Sequence, residues 1–546
     1  MTTQGYLSIV LHAHLPFVRH PEHPDFLEED WLYEAMTETY IPLLRMMQRL
    51  WADGIDFRLT MSLTPPLCEM LADPMLQDRY VHRLSRLLEL AEQQEVVRRG
   101  SPFEEAARFA AQELRETHHL FTHVWNRELL PQFKRFQDLG RLEIITCGAT
   151  HGFLPLLATD DARRAQIEIG ARNYEKHFGR RPRGMWLPEC AFAPGLDALV
   201  AESGIKWFIL ESHGLTQGKP ANRLGTARPA ITPSGVAVFG RDAETSRQVW
   251  SSEIGYPGHA NYREFYRDLG FDLPYAEVRP YLHADGLRRN IGLKFHRVTG
   301  KVSLDKKEPY VPSWALQQAE QHAGNFLFNR QHQCRYLRST TKQTPHICAP
   351  YDAELFGHWW YEGPHFIEMV MRKTATDQSE IVLVTPSEYL QIETVHQVII
   401  PALSSWGANG FFEVWLNGFN DWIYRHLHAA EERLIELVDR FPNAEGLLRR
   451  ALNQAARELL LAQSSDWAFI ISTNTSVEYA EKRTRDHVAR FNGLYLQLIE
   501  NRLEESWVAE LEWKDTIFQE IDYRVFSRRS PHPKATAVHT FEAETP

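Results

Sequence analysis

The sequence predicts an α/β protein in which a parallel barrel or a doubly wound sheet is followed by a helical domain. Short apolar runs of strand length alternate with amphipathic helical stretches from the N-terminus onward. One long segment, residues 67–140, keeps helical spacing with no strand inside it. Beyond about residue 395 the apolar runs stop and helical periodicity alone remains. These three observations indicate βα units with a helical insertion and a helical C-terminal domain.

The apolar runs are interpreted as buried strands of one parallel sheet. They lie at residues 6–16, 57–63, 142–146, 184–189, 205–210, 236–242, 345–350 and 381–385. Helical stretches at 161–178, 195–202 and about 312–338 separate several of them. The predicted domains are a catalytic region at 1–395, interrupted at 67–140, and a C-terminal helical domain at 396–526 that contributes to the cleft. The tail at 527–546 shows little periodicity, and we expect it to be disordered.

The composition favours a globular protein with an uncharged partner. The 546 residues are 43% apolar, which is enough for a large core. The formal net charge of -11 and the absence of a long basic block argue against nucleic acid or an anionic membrane as partner. The start of the chain lacks a secretory pattern, no run reaches the roughly 18 apolar residues of a membrane span, and the five cysteines are scattered. A cytoplasmic location is therefore expected.

Two acidic residues follow apolar runs that end in proline. Glu189 follows the run at 184–188, and Asp352 is placed in the loop after a strand that Pro350 closes. Barrels keep catalytic groups at the C-terminal ends of their strands, so both carboxyls are expected at one mouth. Glycoside hydrolysis needs such a pair. The alternative interpretation is that each acid caps the helix that follows its strand. The residues alone do not rank Glu354 against Asp352, and Glu354 with His358 also fits a structural i, i+4 pair.

Three histidines are candidates for the same mouth. His12 and His14 alternate along the first strand and share a face, and His151 follows the third strand in a glycine-rich segment. Histidine side chains can hydrogen-bond sugar hydroxyls. The alternatives are satisfied core histidines, or a metal site completed by His151 and Asp160.

Tryptophans beside polar residues suggest the walls of a sugar-binding pocket, because indole rings stack on sugar faces. Trp359 follows the second acid, and Trp406 and Trp415 lie in the segment that opens the C-terminal domain. Asp466 precedes another tryptophan in that domain. Arg263 is a further candidate sugar contact, with a solvated surface charge as the alternative.

Five short motifs carry a resemblance to a known family. They are His-Ala-His-Leu-Pro at 12–16, Gly-Ala-Thr-His-Gly at 148–152, Trp-Leu-Pro-Glu at 186–189, Tyr-Asp-Ala-Glu-Leu-Phe-Gly-His-Trp-Trp at 351–360, and Ser-Ser-Trp-Gly at 404–407. In this set and order the chain resembles glycoside hydrolase family 57, and within it the α-1,4-glucan branching enzymes. The resemblance spans nearly the whole chain. It implies an incomplete (β/α)7 barrel with a helical insertion and a helical C-terminal domain.

The resemblance also implies the chemistry. Glu189 would be the nucleophile and Asp352 the acid/base of a retaining mechanism, with the two carboxyls about 5 to 5.5 Å apart. The family's substrate contacts match His12, His14, His151, Trp359, Trp406, Trp415 and Asp466. No metal or other cofactor is implied. The expected partner is an α-glucan such as amylose, glycogen or a starch-like polymer.

One segment departs from the branching enzymes that the chain resembles. Those enzymes carry an extended loop with a tyrosine at its tip, whereas residues 214–227 here are short and contain no tyrosine. A more open cleft admits water, so α-glucan hydrolysis is the alternative to branching unless Tyr256 or Tyr262 replaces the missing tyrosine. Two other classes stay open: a zinc-dependent deacetylase or mannosidase-like enzyme that uses His12 and His14 as ligands, and a non-catalytic glycan-binding protein.

Overall fold

A computed structural model describes residues 3–251 and 254–528. Within these ranges it contains nine strands. They are β1 (Gly5–Ala13), β2 (Leu59–Leu63), β3 (Leu142–Ile145), β4 (Gly184–Met185), β5 (Trp207–Leu210), β6 (Ala230–Ile231), β7 (Ala237–Gly240), β8 (His346–Asp352) and β9 (Ile381–Leu383). Each predicted strand is present, although the predicted run at 184–189 forms only two residues of strand.

Seven parallel strands form a ring. One sheet has the order β3-β2-β1-β8 with β9 beside β1, and the second has the order β4-β5-β7-β6. A single bridge between Thr146 and Met185 joins β3 to β4, and another between Arg241 and Cys348 joins β7 to β8. Because one bridge holds each seam, the barrel is incomplete, and the predicted (β/α)7 architecture is confirmed. Only β6, which is antiparallel to β7, runs against this direction among the described strands.

The end of β8 differs from the prediction. The strand continues through Pro350 and pairs with β1 as far as His12 opposite Asp352, so Asp352 is its last residue and does not lie in a loop. The carbonyl of Cys348 accepts from the amide of Asp242 across the β7 seam. Pro350 lies two residues after Cys348 and faces the same seam, because the backbone groups of alternate residues point to the same side of a strand. The hydrogen-bonded ladder between β7 and β8 has already ended at this position. Its missing N–H therefore costs no bond to β1, and the proline does not stop the strand.

Helices surround the ring and connect its strands. Those of the barrel region are α1 (Glu29–Ala35), α2 (Ile41–Ala52), α7 (Asp160–Phe178), α8 (Leu196–Glu202), α9 (Ser212–Thr216), α10 (Ala243–Trp250), α11 (Leu269–Asp272), α12 (Tyr275–Val278), α13 (Pro312–Thr341), α14 (Gly363–Thr376) and α15 (Pro386–Ile392). The connection between β2 and β3 holds α3 (Pro65–Leu71), α4 (Pro74–Val97), α5 (Glu104–His119) and α6 (Leu130–Asp138).

The long helix α4 illustrates how the insertion forms. Asp73 caps its start by accepting from the amide of Leu76 at 3.1 Å, and a proline occupies the first turn, where no N–H is needed. Its buried side chains, which include Leu76, Tyr80 and Leu84, recur at helical spacing and face α5 and the barrel.

The C-terminal region is a helical bundle that packs on the barrel. Its helices are α16 (Trp422–Arg440), α17 (Gly446–Ala462), α18 (Ser465–Thr473), α19 (Val477–Ile499) and α20 (Glu505–Lys514). The Glu431 carboxylate of α16 accepts from the amides of Ala158 and Thr159, each at 3.0 Å. Gln463 bonds to Gln166 of α7 at 3.0 Å. These contacts bring the N-terminus of α18 to the C-terminal edge of the strands.

Across residues 3–251 and 254–528, no helix has both the length and the apolar character needed to cross a bilayer. The predicted disordered tail lies outside the described residues, apart from its first two positions.

Candidate active site

The C-terminal edge of the ring collects polar side chains from all seven strands. They are His12 on β1, His14 directly after β1, Thr64 after β2, His151 after β3, Glu189 after β4, Glu211 after β5, Arg241 after β7 and Asp352 at the end of β8. Parallel strands present their C-terminal ends on one side, which is where barrel enzymes place their catalytic groups.

Glu189 is held by donors from two distant parts of the chain. It lies in the turn Pro188–Cys190 with φ 61° and ψ 21°, a left-handed conformation that is costly for a side chain other than glycine. Trp406 Nε1 donates to its Oε2 at 2.7 Å, and Ser465 Oγ donates to its Oε1 at 2.9 Å. Both carboxylate oxygens are therefore oriented. The interpretation of Glu189 as a helix cap is wrong, because its partners are an indole and a hydroxyl.

Asp352 lies opposite His12 in the β1–β8 register and keeps a partly exposed side chain. It makes no capping hydrogen bond to the short helix that follows, so the capping interpretation is wrong here as well. Burial, followed by the negative charges of Glu354 and Glu189, raises the pKa of Asp352 to about 8, while Arg241 opposes the rise. The influence of Glu189 on this pKa places the two carboxyls within electrostatic reach of each other.

The two carboxyls differ in how firmly they hold a proton. Burial raises the pKa of Glu189 to about 7, although the hydrogen bond from Trp406 opposes the rise. The pKa of Asp352 is higher, at about 8. Asp352 therefore keeps its proton at neutral pH, and the two hydrogen bonds that Glu189 receives favour its ionised form. Pairs of acids with pKa values pushed apart in this way can divide the work of acid and nucleophile.

His14 and Asp466 form an ion pair that joins the barrel to α18. His14 Nε2 lies 3.0 Å from the Asp466 carboxylate, and His14 Nδ1 lies 3.0 Å from Thr64 Oγ1. Burial lowers the pKa of His14, but the charge of Asp466 outweighs it and the pKa is raised overall. Burial opposes ionisation of Asp466, yet the charge of His14 lowers its pKa to about 2. Asp466 is thus ionised at neutral pH, and its charge favours the protonated form of His14.

The other two histidines are neutral and stacked. His151 lies against His14 with ring centroids 3.8 Å apart, and His12 lies against Trp186 at 4.4 Å. His12 and His151 are joined through their Nε2 atoms at 3.0 Å. Burial lowers the pKa of both well below the ordinary value. Nδ1 of His12 is buried and has no hydrogen-bond partner among the described residues.

Glu354 is hydrogen-bonded to groups from the N-terminal part of the barrel. Its Oε1 accepts from the hydroxyl of Tyr40 and from the amide of His14 at 3.2 Å. His358 pairs with Glu38 at 2.7 Å and not with Glu354. The interpretation of Glu354 and His358 as an i, i+4 pair is therefore wrong.

Three predicted contacts lie outside this network. Trp359 is 52% exposed and stacks on Phe265 with centroids 4.5 Å apart. Trp415 is 1% exposed and packs against Phe153 at 5.0 Å, so it belongs to the core that supports the segment carrying Trp406. Arg263 is not a solvated surface charge, because its guanidinium is buried and pairs with Glu38 at 2.6 Å.

The proposed substitutes for the missing loop tyrosine are also buried. Tyr256 is 8% exposed and its hydroxyl donates to Asn325 at 2.7 Å. Tyr262 is 0% exposed and its hydroxyl lies 2.7 Å from His322. Neither ring can cover a sugar in the cleft from these positions, so this prediction is wrong.

Sequence reasoning missed several members of the site. Ser465 lies 2.9 Å from Glu189 and 2.8 Å from His151, and it links the two. Arg241 pairs with Glu211 at 3.0 Å and lies 5.6 Å from the Trp406 ring. The position of Glu211 and Arg241 directly after strands was a usable signal. The polar segment 464–466 beside Trp467 indicated a pocket wall, but it did not single out Ser465.

A metal ion has one possible place here. Donor atoms of His14, His151 and Asp466 lie within 4.8 Å of one another. The stacked rings of His14 and His151 are nearly parallel, with an interplanar angle of 14°, so their in-plane lone pairs do not converge on one point. The ion pair with Asp466 already satisfies His14. Asp160, the other ligand considered, bonds to Arg163 at 2.7 Å.

An oriented carboxylate, a second carboxyl with a raised pKa and aromatic neighbours at the C-terminal edge of an incomplete barrel are typical of enzymes that act on glycosidic bonds. The chain belongs to glycosyl hydrolase family 57, whose sequence profile matches residues 8–402. A second sequence profile, described as "1,4-alpha-glucan branching enzyme, C-terminal", matches residues 426–526. The resemblance read from the five motifs is thereby confirmed.

The similar solved structures and curated proteins bear the names of two activities, α-amylase and branching enzyme. The structure of the α-amylase AmyC from Thermotoga maritima is 45% identical with a TM-score of 0.91, covering 96% of this chain and 100% of that one. A branching enzyme from Pyrococcus horikoshii is 32% identical with a TM-score of 0.87, covering 98% and 99%. The 1,4-alpha-glucan branching enzyme of Thermococcus kodakarensis is 34% identical over 95% of this chain and 78% of its own length.

Proposed function

We propose that this protein is a retaining enzyme of α-1,4-glucans that transfers the cleaved segment to a glucose 6-hydroxyl and so forms α-1,6 branches. The observation that carries the proposal is the difference between its two carboxyls. Glu189 receives one hydrogen bond on each oxygen, whereas Asp352 has the higher pKa and keeps its proton. The match of residues 426–526 to the branching-enzyme C-terminal description supports transfer as the outcome.

In the first step Asp352 donates its proton to the glycosidic oxygen while ionised Glu189 attacks the anomeric carbon. The bond to the leaving glucan breaks as the bond to a Glu189 oxygen forms. The two donors to Glu189 stay in place during attack, so its geometry needs no reorganisation. A covalent glycosyl-enzyme results, and we expect a carboxyl separation of about 5 to 5.5 Å as in retaining enzymes.

In the second step Asp352, now ionised, takes the proton of the acceptor hydroxyl. The acceptor oxygen attacks the anomeric carbon and releases Glu189, which gives net retention. A 6-hydroxyl of another glucan yields a branch, and water yields hydrolysis. The same residues thus serve both outcomes, and access of water to the glycosyl-enzyme decides between them.

The remaining polar groups are assigned to substrate binding. Charged His14 and Asp466 and neutral His12 and His151 offer donors and acceptors for sugar hydroxyls beside Glu189. Trp406 supplies an indole face next to them, and Trp359 supplies an exposed ring at the mouth. We assign Trp415 a supporting role beneath Trp406, because its ring is buried.

Hydrolysis is the second candidate, and one structural observation favours it. The short segment at 214–227 is bonded along its length to residues 397–402: Lys219 and Ile400 exchange both backbone hydrogen bonds at 2.9 Å, and Ala402 donates to Gly214 at 2.9 Å. A segment held in this way cannot fold over the cleft. The 45% identical structure is described as an α-amylase, which agrees with a sizeable share of hydrolysis.

Incubation with amylose separates the two outcomes. New reducing ends measure hydrolysis, and linear chains released by a debranching enzyme measure α-1,6 linkages. We expect both products, with Glu189→Gln giving neither. Reducing ends without α-1,6 linkages would assign the protein to hydrolysis, and no product from any α-glucan would refute the proposal.

A further inference from the structure

A second cavity lies on the side of the barrel that carries the helical insertion. It has a volume of about 510 Å³ and is lined by α1, α4 and the segment at 281–291. None of the residues of the candidate active site lines it. The insertion at 67–140 takes no part in the reaction proposed above. The cavity that its helix α4 lines is therefore a candidate for a separate function.

The walls of the cavity are tied together by buried ion pairs. Arg79 of α4 pairs with Glu29 of α1 at 2.6 Å, and Arg83 pairs with Asp30 at 3.0 Å. His283 lies 2.8 Å from the second oxygen of Asp30, which joins the segment at 281–291 to the same network. Glu29 is 1% exposed and Asp30 is 6% exposed. Three chain segments therefore meet in a fixed geometry around a preformed space.

The lining combines aromatic rings with a balanced set of charges. Phe26 is backed by the His20 ring, with centroids 3.8 Å apart, and Tyr281 faces the guanidinium of Arg86 at 5.9 Å. The lining contains four carboxylates, three arginines and two histidines, so it favours neither an anion nor a cation. Among the described residues Arg86 has no hydrogen-bond or ion-pair partner, which leaves its donors for a ligand. Rings beside unused donors and balanced charge fit a neutral polyhydroxylated ligand.

Packed side chains link one wall of the cavity to the candidate active site. The chain that leaves β1 at His14 reaches the cavity at Phe26. The Phe26 ring lies 6.1 Å from that of Tyr479, which lies 6.0 Å from that of Trp467, the neighbour of Asp466. The wall of the cavity and the wall of the candidate active site are therefore built on the same packed rings.

We propose that this cavity is a second α-glucan-binding site, which holds a part of the polymer remote from the bond that is cleaved. Phe26 and Tyr281 stack on glucose rings, and Arg86 hydrogen-bonds their hydroxyls. The proposal rests on the proposed function for the identity of the polymer. Holding the polymer at a second point raises its effective concentration at the cleft without altering the chemistry.

Electrophoresis through gels that contain glycogen measures this binding without turnover. We expect Tyr281→Ala and Arg86→Ala each to weaken glycogen binding about fivefold, equivalent to about 1 kcal/mol. On amylose the same variants should raise KM and leave kcat unchanged, because the cleft is intact. Tyr336→Ala is the matched control, since Tyr336 is 68% exposed on α13 and does not line the cavity.

The outcomes separate this proposal from the proposed function. Unchanged glycogen retardation and unchanged KM in both variants, with wild-type melting temperatures, would overturn the second site while the enzyme still acts on amylose. If the two variants lose retardation and the wild type forms no product from amylose, the second site is supported and the proposed reaction is refuted. If Tyr281→Ala fails to fold, Arg86→Ala carries the test, because Arg86 makes no ion pair.

Discussion

Two buried clusters in this molecule combine histidine with carboxylates, and they differ in what surrounds them. In the bundle, Glu458 lies 2.7 Å from His487 and accepts from Gln454 at 2.8 Å, while Asp515 accepts from Arg490 at 2.7 Å. All three members of this cluster are at most 1% exposed. The hydrogen-bond partners of each acid lie within the bundle.

The cluster at the barrel mouth is arranged differently. His14 and Asp466 are charged partners, Glu189 has a donor on each oxygen, and the Asp352 carboxyl beside them stays partly exposed. Raised carboxyl pKa values occur in both places, since burial and then Glu458 raise the pKa of Asp515 to about 6. A perturbed pKa therefore does not by itself mark a catalytic site. An accessible acid beside an oriented one does, and the following predictions test that distinction.

The largest expected difference is in turnover. Asp352→Asn should lower kcat on amylose about 10²- to 10⁴-fold by removing the proton donor, and Glu189→Gln should lower it at least as much by removing the nucleophile. Glu458→Gln is the matched control from the bundle, and its kcat per folded molecule should equal that of the wild type. A Glu458 variant that folds normally but loses turnover would break the comparison.

For the free energy of unfolding the comparison is reversed, because here the bundle cluster should show the large effect. Glu458→Ala leaves His487 and Gln454 without their buried partner and should lower the free energy of unfolding by about 3 kcal/mol. Thermal unfolding measures the effect, with the exposed Glu432→Ala as reference. A Glu458→Ala melting temperature equal to that of the reference would show that the bundle cluster contributes nothing to stability.

The pH dependence of kcat/KM should report the two carboxyls of the mouth. Activity should rise as Glu189 ionises near pH 7 and fall as Asp352 loses its proton near pH 8, which gives a narrow bell. Asp466 raises the pKa of Glu189, but it also raises the pKa of His14, whose charge lowers that of Glu189. In a His14→Gln background, Asp466→Asn should therefore move the rising limb to lower pH. A rising limb that stays in place in this variant would remove Asp466 from the electrostatics of Glu189.

The smallest expected effect is on pH-dependent stability, where the two aspartates of the mouth should behave oppositely. The folded-state pKa of Asp352 is raised, so its contribution to stability is complete below the unfolded pKa and is lost as pH rises toward 8. Asp352→Asn should therefore raise the melting temperature more at pH 8 than at pH 5. The pKa of Asp466 is lowered to about 2, so its contribution is present above the unfolded pKa and is lost on acidification.

Asp466→Asn should accordingly lower the melting temperature at pH 8, and by less at pH 3. Melting curves of the two variants and the wild type at these pH values provide the comparison. Parallel shifts of the same sign in both variants would contradict the assigned charge states.

Local sequence was sufficient to locate the elements of the fold and to nominate the two acids. Apolar runs of strand length located the strands of the ring, because a buried parallel strand must be apolar on both faces. Helical periodicity identified the insertion and the bundle, and ordered motifs singled out Glu189 and Asp352. Local pattern did not show that β8 runs through Pro350, because the cost of its missing N–H depends on which neighbour that position faces.

Tertiary structure decided which groups meet. Ser465 and Trp406 reach Glu189 only because the bundle packs on the barrel and brings α18 to the strand ends. The burial of Trp415, the ion pair of Arg263 with Glu38 and the cavity beside α4 depend on packing in the same way. Periodicity reports which face of one element is buried, but not which distant residue lies against it. That choice is made when the ring assembles and the bundle docks, through contacts between residues hundreds of positions apart.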